Sequence, residues 1–542
     1  MNKYLIALSA GSACLFSNNL TAADKESSSD NNKNRPNIIY LMADDHQAMA
    51  LGCTGNKEVH TPTLDALASK GILFDKAYAT SPICMPSRAT VMTGMYEFKT
   101  GCNFNTGSLS VRDWQNNSYP ELLRKNGYLT AFAGKWGFKI EDNYDYKKDF
   151  DFWGGFQGSG QGSYKTSDNS SLLPFAERYK HVTRALGAFG RDFIKKAAES
   201  GKPFCLSISF KAPHKPHCFI DVEDKKLFKN VTFSKPANYG DEFLKNLPPQ
   251  PKLSRQRVQW KEWDPEHYQE HTKAYYQLIA GIDAAVKMIL DELKEQNIDR
   301  KTIVIYTSDN GYAMGAHGFQ GKSLPYEEQA RIPLIIYDPQ SKKHGVKSHS
   351  LVANIDYAPT ILDYAGVSIP PKMDGKSLKK LVRNNPEMKI HDSIMLVQNW
   401  AAGRCDIPKG VTIVSGAWKY IYWCYGDKNI SPAEELYNLM KDPHETENIL
   451  KTKPASDTLS ALQKKYDDYI CKWKQSTRPK YSKYGILFDR NIPWQQKSFK
   501  GAPGKFLTKE MYKEYVGAEP PDGLIKIRKH RKNRRRKKHR KK

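Results

Sequence analysis

Asn37-Ile38-Ile39-Tyr40-Leu41-Met42-Ala43-Asp44-Asp45 is an apolar run that stops on two adjacent carboxylates. An apolar run without polar alternation suits a strand buried on both faces, and polar groups past its carboxyl end are where open α/β sheets place their chemistry. Three more runs share this form: 128–133, followed by Gly134 and Lys135; 204–210, followed by Lys211 and Pro213-His214; and 302–307, followed by Asp309 and Asn310. Between them lie helical patterns, such as 275–293 with Leu278, Ile279, Ile282, Val286, Ile289, Leu290 and Leu293 on one face. Strands alternating with helices predict an α/β fold, a mostly parallel sheet covered on both faces. After Asp374 a polar run over 375–389 precedes short strand-like pieces at 393–397, 411–414 and 419–423, which predict a smaller α+β C-terminal subdomain. The expected divisions are a main domain over 36–374, a subdomain over 375–490 whose last helix closes near Trp473, an extended wrap over 491–524 and a polybasic tail over 525–542. No internal repeat is present.

With 542 residues, 39% of them hydrophobic, the chain can bury a large core, which excludes intrinsic disorder for most of it. The first residues carry Lys3, an apolar stretch over 4–16 and small residues at Thr21, Ala22 and Ala23, the layout of a cleaved secretory signal over 1–23 ahead of a polar linker over 24–35. Ser17, Asn18 and Asn19 cut the stretch below the length needed to span a bilayer, and no later segment is apolar enough. Gly11-Ser12-Ala13 makes a poor lipid-attachment site before Cys14, so a secreted or periplasmic protein is expected. Apart from Cys14 and Cys84, the cysteines are an odd set at irregular spacing, neither a disulfide framework nor a zinc site.

The net charge is +26, and half of it comes from 526–542, which holds thirteen Lys/Arg and no acid. Such a block is read either as a solvated tail or as an arm that holds a polyanion, for instance a sulfated glycan or an anionic cell wall. A nuclear role conflicts with the secretory signal, and no specific nucleic-acid role is expected.

Cys84 precedes Pro86, Ser87, Arg88 and a helix-like stretch that Gly94 ends. Proline in the first turn and glycine past the last predict a short helix starting at the cysteine, whose positive end and Arg88 can hold an anion. From the residues alone, a plain thiolate nucleophile stays open.

Cys84-Met85-Pro86-Ser87-Arg88-Ala89-Thr90 with Thr93-Gly94 resembles the formylglycine signature of type I sulfatases, in the alkaline-phosphatase-like superfamily. The resemblance continues in order through Thr61-Pro62-Thr63-Leu64-Asp65, Gly134-Lys135-Trp136, Ala212-Pro213-His214, Ser308-Asp309-Asn310-Gly311, Ile332-Pro333-Leu334 and Glu435-Leu436-Tyr437-Asn438-Leu439. It implies an alkaline-phosphatase-like main domain that is catalytic and a C-terminal subdomain carrying a short antiparallel sheet. It further implies hydrolysis of sulfate esters, with a nucleophile made by oxidising Cys84 to formylglycine (3-oxoalanine) through a dedicated maturation enzyme. One divalent cation, most often calcium in the family, is implied at Asp44, Asp45, Asp309 and Asn310 together with position 84; these are hard oxygen ligands. Arg88, Lys135 and Lys322 match groups that hold the sulfate or the nucleophile, His214 matches the proton donor to the leaving alcohol, and His317 in Gly315-Ala316-His317-Gly318 matches a cleft residue. A sulfated carbohydrate is the expected substrate of an exported, basic, aromatic-rich chain.

One position departs from the family. Gly137 stands where a histidine usually hydrogen-bonds the formylglycine, leaving His317, His217 and Lys139 as candidates to compensate. The aromatic, Gly-rich stretch 152–162, with Trp153-Gly154-Gly155, is read either as a flexible insertion or as a sugar-stacking rim. Two other functions stay open: a phosphonate or phosphodiester hydrolase using the same site, and a silent homologue that binds polyanions.

Overall fold

A computed structural model describes residues 35–525, apart from 105–106, 157–160, 218, 264, 400–407, 453–455, 477–481 and 498–506. Apart from the boundary residues Arg35 and Ile525, the expected signal, linker and basic tail lie outside the described residues.

The strands in chain order are β1 (Asn37–Asp44), β2 (Ile72–Phe74), β3 (Ala77–Tyr78), β4 (Leu129–Gly134), β5 (Phe152–Gly155), β6 (Phe204–Pro213), β7 (Thr302–Ser308), β8 (Leu334–Tyr337), β9 (Val346–Ser348), β10 (Val352–Ala353), β11 (Ile394–Gln398), β12 (Gly410–Ser415), β13 (Trp418–Trp423) and β14 (Ala433–Asn438). Eight of them form one sheet in the order β5-β4-β6-β1-β7-β8-β2-β9. From β5 to β7 every pair is parallel, while β8 runs antiparallel to both neighbours. All four apolar runs are thus adjacent strands, and their polar ends meet at one edge. β3 and β10 form a separate two-residue ribbon.

β1 shows why the sheet is buried on both faces. Ile38, Tyr40 and Met42 join a core completed by the helices Cys84–Thr93, Tyr119–Lys125 and Tyr357–Tyr364, whereas Ile39, Leu41 and Ala43 pack under Val182–Ser200 and Tyr268–Glu295. Each large apolar side chain removed from water contributes roughly 1.5–3 kcal/mol. Between β1 and β6 the register shifts: Met42 pairs with Ser209 but Asp44 with Pro213, so β6 carries extra residues where it reaches the charged edge.

The C-terminal part forms an antiparallel sheet, β11-β12-β13-β14, under the helix Asp457–Ser476, whose Leu462, Tyr466, Ile470 and Trp473 pack on Ile413 and Tyr420. Two findings differ from the sequence reading. The stretch 152–155 is edge strand β5, and Trp153 stacks on Phe132 at 5.2 Å, so this tryptophan belongs to the core and not to a rim. The expected wrap contains the helix Lys509–Val516, capped by the Thr508 side chain, with Met511 and Tyr512 buried against Leu253 and Tyr425. Among the described residues no helix is long and apolar enough to cross a membrane.

Candidate active site

The helix Cys84–Thr93 starts at the cysteine and is buried along its whole length, with Gly94 closing it at φ 63°. The first-turn N–H groups of a helix lack intrahelical acceptors and favour an anion there. Arg88, one turn on, is fully buried and fixed by several acceptors. Its Nε donates to Asp309 Oδ2 at 2.9 Å, Nη2 lies 2.7 Å from the same oxygen, and Nη1 donates to the Lys135 carbonyl at 2.7 Å and to Ser209 Oγ. Ser87 Oγ donates to the Asp309 carbonyl at 2.5 Å and accepts from Asn354 Nδ2 at 2.9 Å, so the strand end of β7 and this helix are locked together.

Around this pair the other strand ends converge. Lys135, just past β4, donates to Asp44 Oδ2, and Lys322 Nζ lies 2.5 Å from Asp45 Oδ1 and 3.6 Å from Asp44 Oδ1. Asn310 Nδ2 donates to Asp45 Oδ1 at 2.7 Å, and the Asp45 N–H donates to Asp309 Oδ1 at 3.2 Å. His214 Nε2 stands 3.9 Å from Asp45 Oδ2, with Nδ1 held at 2.7 Å by the Lys215 carbonyl. The Cys84 sulfur is within electrostatic reach of both Arg88 and Lys322. Cys84, Arg88, Lys135, His214, Lys322, Asp44, Asp45, Asp309 and Asn310 are therefore all brought to one place.

The electrostatics follow from burial and charge pairing. Burial pushes the Asp44 carboxyl up, but Lys135, His214, Lys322 and Arg88 overcome this and hold it well below the usual carboxylate range. Asp309 is raised to about 6 by burial and by Asp44, against Arg88, Lys322 and Lys135. Burial takes the His214 imidazole down to about 4, with Asp44 and Asp45 opposing. The cluster also fits a hard cation. Asp44 Oδ1 and Asn310 Oδ1 are buried without a hydrogen-bond donor, and the converging donors are mainly carboxylate and amide oxygens, the set calcium and magnesium prefer.

The sulfatase family matches residues 36–367, which span every one of these groups. The chain belongs to the sulfatase family. Residues 315–472 also match the C-terminal region of N-sulphoglucosamine sulphohydrolase. Among relatives, the chain is 28% identical over 508 residues to an N-acetylglucosamine-6-O-sulfatase of Bacteroides thetaiotaomicron, covering 80% of this chain and 87% of that one. It is 27% identical to an ulvan-active sulfatase of Formosa agariphila, covering 86% and 88%. Among solved structures, a protein in complex with its substrate D-glucosamine-2-N,6-O-disulfate aligns with a TM-score of 0.69 at 24% identity, over 85% of this chain and 100% of that one. The phosphonate monoester hydrolase of Agrobacterium radiobacter aligns at 0.63 and 19% identity, over 81% and 96%. The likeness to these structures is one of fold. Family membership makes this sulfatase a sulfuric ester hydrolase.

Other residues of the sulfatase fall differently from expectation. His317 sits in a second buried cluster, with Glu328 and Glu445 close by and both ring nitrogens unpartnered, and its electrostatic neighbours are Glu328, Asp442, Lys419 and His444. Lys139 is exposed. Gly137 lies against the centre: a Cβ there would meet Arg88 Cδ at 2.7 Å and Lys135 Cε at 3.5 Å, at φ +79°. His217 is near the site, its ring packed on Tyr275, whose hydroxyl donates to the Asp45 carbonyl at 2.6 Å. Lys211, unassigned by sequence, is buried at the register shift of β6 and faces Asp44, Lys135, Asp45 and Lys322, with Nζ donating to the Gln161 carbonyl at 3.1 Å. Its only sequence signal is its place after a buried run.

Proposed function

We propose that this sulfatase removes sulfate from a sulfated carbohydrate by way of formylglycine at position 84 and one divalent cation, calcium, held by Asp44, Asp45, Asp309 and Asn310 with position 84. The observation that carries the reading is the meeting of Cys84 with Arg88, Lys135 and Lys322 over the buried Asp44–Asp309 pair. Oxidised Cys84 supplies a hydrated aldehyde with two hydroxyls, one to attack sulfur and one to release sulfate, and the cation offsets charge on nucleophile and substrate. The chain's own residues do the rest. Arg88, held in place by Asp309, Lys135 and Ser209, presents fixed positive charge beside position 84. Lys135 and Lys322 add two buried ammonium groups that stabilise charge on the sulfate oxygens. His214 delivers a proton to the departing sugar oxygen; its Nδ1 bond to the Lys215 carbonyl fixes the ring with Nε2 toward the cluster, and an arriving sulfate ester favours the protonated ring. The carbohydrate assignment is supported by relatives named for sulfated sugars. We further read the protein as secreted or periplasmic after removal of 1–23, as dependent on a formylglycine-generating enzyme, and as touching polyanions through its basic tail.

The decisive test is the mass of the peptide containing Cys84 from active protein. Conversion of thiol to aldehyde lowers it by roughly eighteen daltons, and an unmodified peptide in fully active enzyme rules the mechanism out. Exhaustive chelation is expected to lower turnover and melting temperature together, with calcium at a hundred times its Kd restoring about 2.7 kcal/mol. Full turnover in metal-free protein would remove the cation from the reading. Because a phosphonate monoester hydrolase shares the fold, rates on matched sulfate and phosphonate esters are compared, and a strong phosphonate preference reverses the substrate assignment.

A further inference from the structure

Beside the sulfate cluster stands a group of donors with nothing to donate to. Lys215 directly follows His214, and its Nζ lies 5.9 Å from the centroid of the Tyr312 ring. Among the described residues this ammonium makes no hydrogen bond or ion pair, although burial, opposed by Asp45, pulls its pKa down. Tyr312, two residues after Asn310, is 2% exposed and its hydroxyl is buried without a partner. His217 Nε2 is likewise buried and unpartnered, its ring 5.6 Å from Tyr275 and 6.1 Å from Tyr312. Tyr275 reaches the Asp45 carbonyl, so the group is continuous with the cluster. Arg255 is within electrostatic reach of both Lys215 and Tyr312.

Leaving a buried polar group unsatisfied is costly, and native chains do it rarely outside sites that a ligand completes. Here a phenol and an imidazole nitrogen do so side by side, next to a half-buried ammonium that no acceptor engages and to the histidine that faces the leaving group. An oxyanion would accept from all three, and Lys215 would give it a charge-assisted bond. A neutral sugar hydroxyl can accept from the ammonium but does not offset its charge, as an oxyanion does.

We propose that Lys215, Tyr312 and His217 form an anion subsite that takes a second sulfate or a carboxylate of the substrate, so that the sulfatase selects a saccharide carrying at least two anionic groups. This rests on the sulfate-ester reading of the Cys84 site. The scissile sulfate binds among Arg88, Lys135 and Lys322, and the second anion lies on the leaving-group side, past His214. The subsite accounts for an ammonium that the catalytic cluster does not use.

The test uses full-length, matured enzyme and matched pairs of sulfated mono- and disaccharides. Each pair shares the scissile sulfate and differs by one further anion, a second sulfate on the same ring or a carboxylate on the neighbouring ring; the preferred arm identifies the source. Wild type is expected to favour one doubly charged member by about 10- to 100-fold in kcat/KM, the worth of a charge-assisted hydrogen bond. Lys215→Met should collapse that ratio to within about threefold, chiefly through KM, and Lys215→Arg should restore most of it. Tyr312→Phe, which keeps the ring packing, supplies the same readout if the Lys215 variant does not fold. A wild type indifferent to the second anion, or a Lys215→Met loss equal on both members of every pair, overturns the subsite while leaving the sulfatase reading intact. A wild type that frees no sulfate from any member overturns the reading beneath it as well.

Discussion

Replacing Gly137 by alanine tests whether the centre is built around the absence of a side chain there. The new Cβ would lie 2.7 Å from Arg88 Cδ and 3.2 Å from Nε, on a backbone with φ +79°. The left-handed conformation alone costs a non-glycine residue roughly 1–2 kcal/mol. Arg88 can yield only by giving up bonds to Asp309, the Lys135 carbonyl or Ser209, and each charge-assisted bond is worth about 1.5–3 kcal/mol. The expected total is roughly 3–5 kcal/mol, divided between stability and turnover. A shift of the guanidinium by about 1 Å lowers turnover by about a hundredfold. Gly127→Ala separates the two terms, because Gly127 has φ +82° and nothing within 4 Å of the added Cβ. The assays are chemical denaturation and sulfate release from a small sulfated sugar. If Gly137→Ala costs no more than Gly127→Ala and turnover stays within about threefold, Arg88 is not confined as argued. Gly137→His should do worse than alanine, and a gain in turnover would show instead that the site lacks a side chain it could use.

Three further outcomes are expected. Glu97, buried and accepting from Ser81 and Asn103, has its pKa raised to about 7 by burial, so its stabilising contribution is complete below about 4.5 and is lost as pH rises through 7. Glu97→Gln should therefore gain on wild type in unfolding free energy by roughly 3 kcal/mol between pH 4.5 and 7 and no further above it; a gap that does not change with pH contradicts the assignment. Removal of 526–542, which spares the packed Ile525, should weaken retention on a sulfated polymer at low salt while turnover of a small aryl sulfate holds, and equal loss of both would place the tail in the catalytic domain. Lys419→Met removes the ammonium shared by Glu327 and Glu445, leaving Glu327 paired with Arg331, and should cost roughly 1–3 kcal/mol in denaturation, with kcat falling as Lys322 loses its support; a stable variant with full kcat would sever that link.

The four strand ends were legible because a strand buried on both faces leaves an unbroken apolar run, and the sequence shows where each run stops. Lys211 and Lys215 were not, and His217 was one candidate of three, because nothing at the end of a buried run says which of the polar groups there turn inward. The register shift between Met42–Ser209 and Asp44–Pro213 settles that, and it exists only once β1 and β6 are paired. Trp153 misled because an edge strand of four residues, two of them glycines, reads as loop. The helix Lys509–Val516 had its signals in Thr508 and Gly517, but the lysine-rich composition outweighed them. His317 was paired with the cleft by its motif alone, and the fold gives it neighbours of its own.

Those neighbours explain why a hydrolytic site at the edge of one sheet comes with a second sheet. Lys322 must keep its ammonium on Asp45 and Asp44, yet it sits in a loop with no strand of its own. Three residues on, the Pro325 carbonyl accepts from Lys419 Nζ at 2.8 Å, and the same ammonium, carried on β13, pairs with Glu327 at 2.8 Å and Glu445 at 2.7 Å. Glu445 closes the ring by accepting from the Glu327 N–H at 2.6 Å, and Tyr326 donates to Glu435 of β14 at 3.2 Å. Burial pushes the Glu445 carboxyl up to about 8 despite Lys419, so the arrangement is held by hydrogen bonds as much as by charge. A buried pair of this kind contributes little net stability but is costly to break, which fixes a single geometry. The segments Tyr326-Glu327-Glu328 and Glu435-Leu436-Tyr437 are therefore two halves of one clamp, and what it positions is the lysine over Asp44 and Asp45.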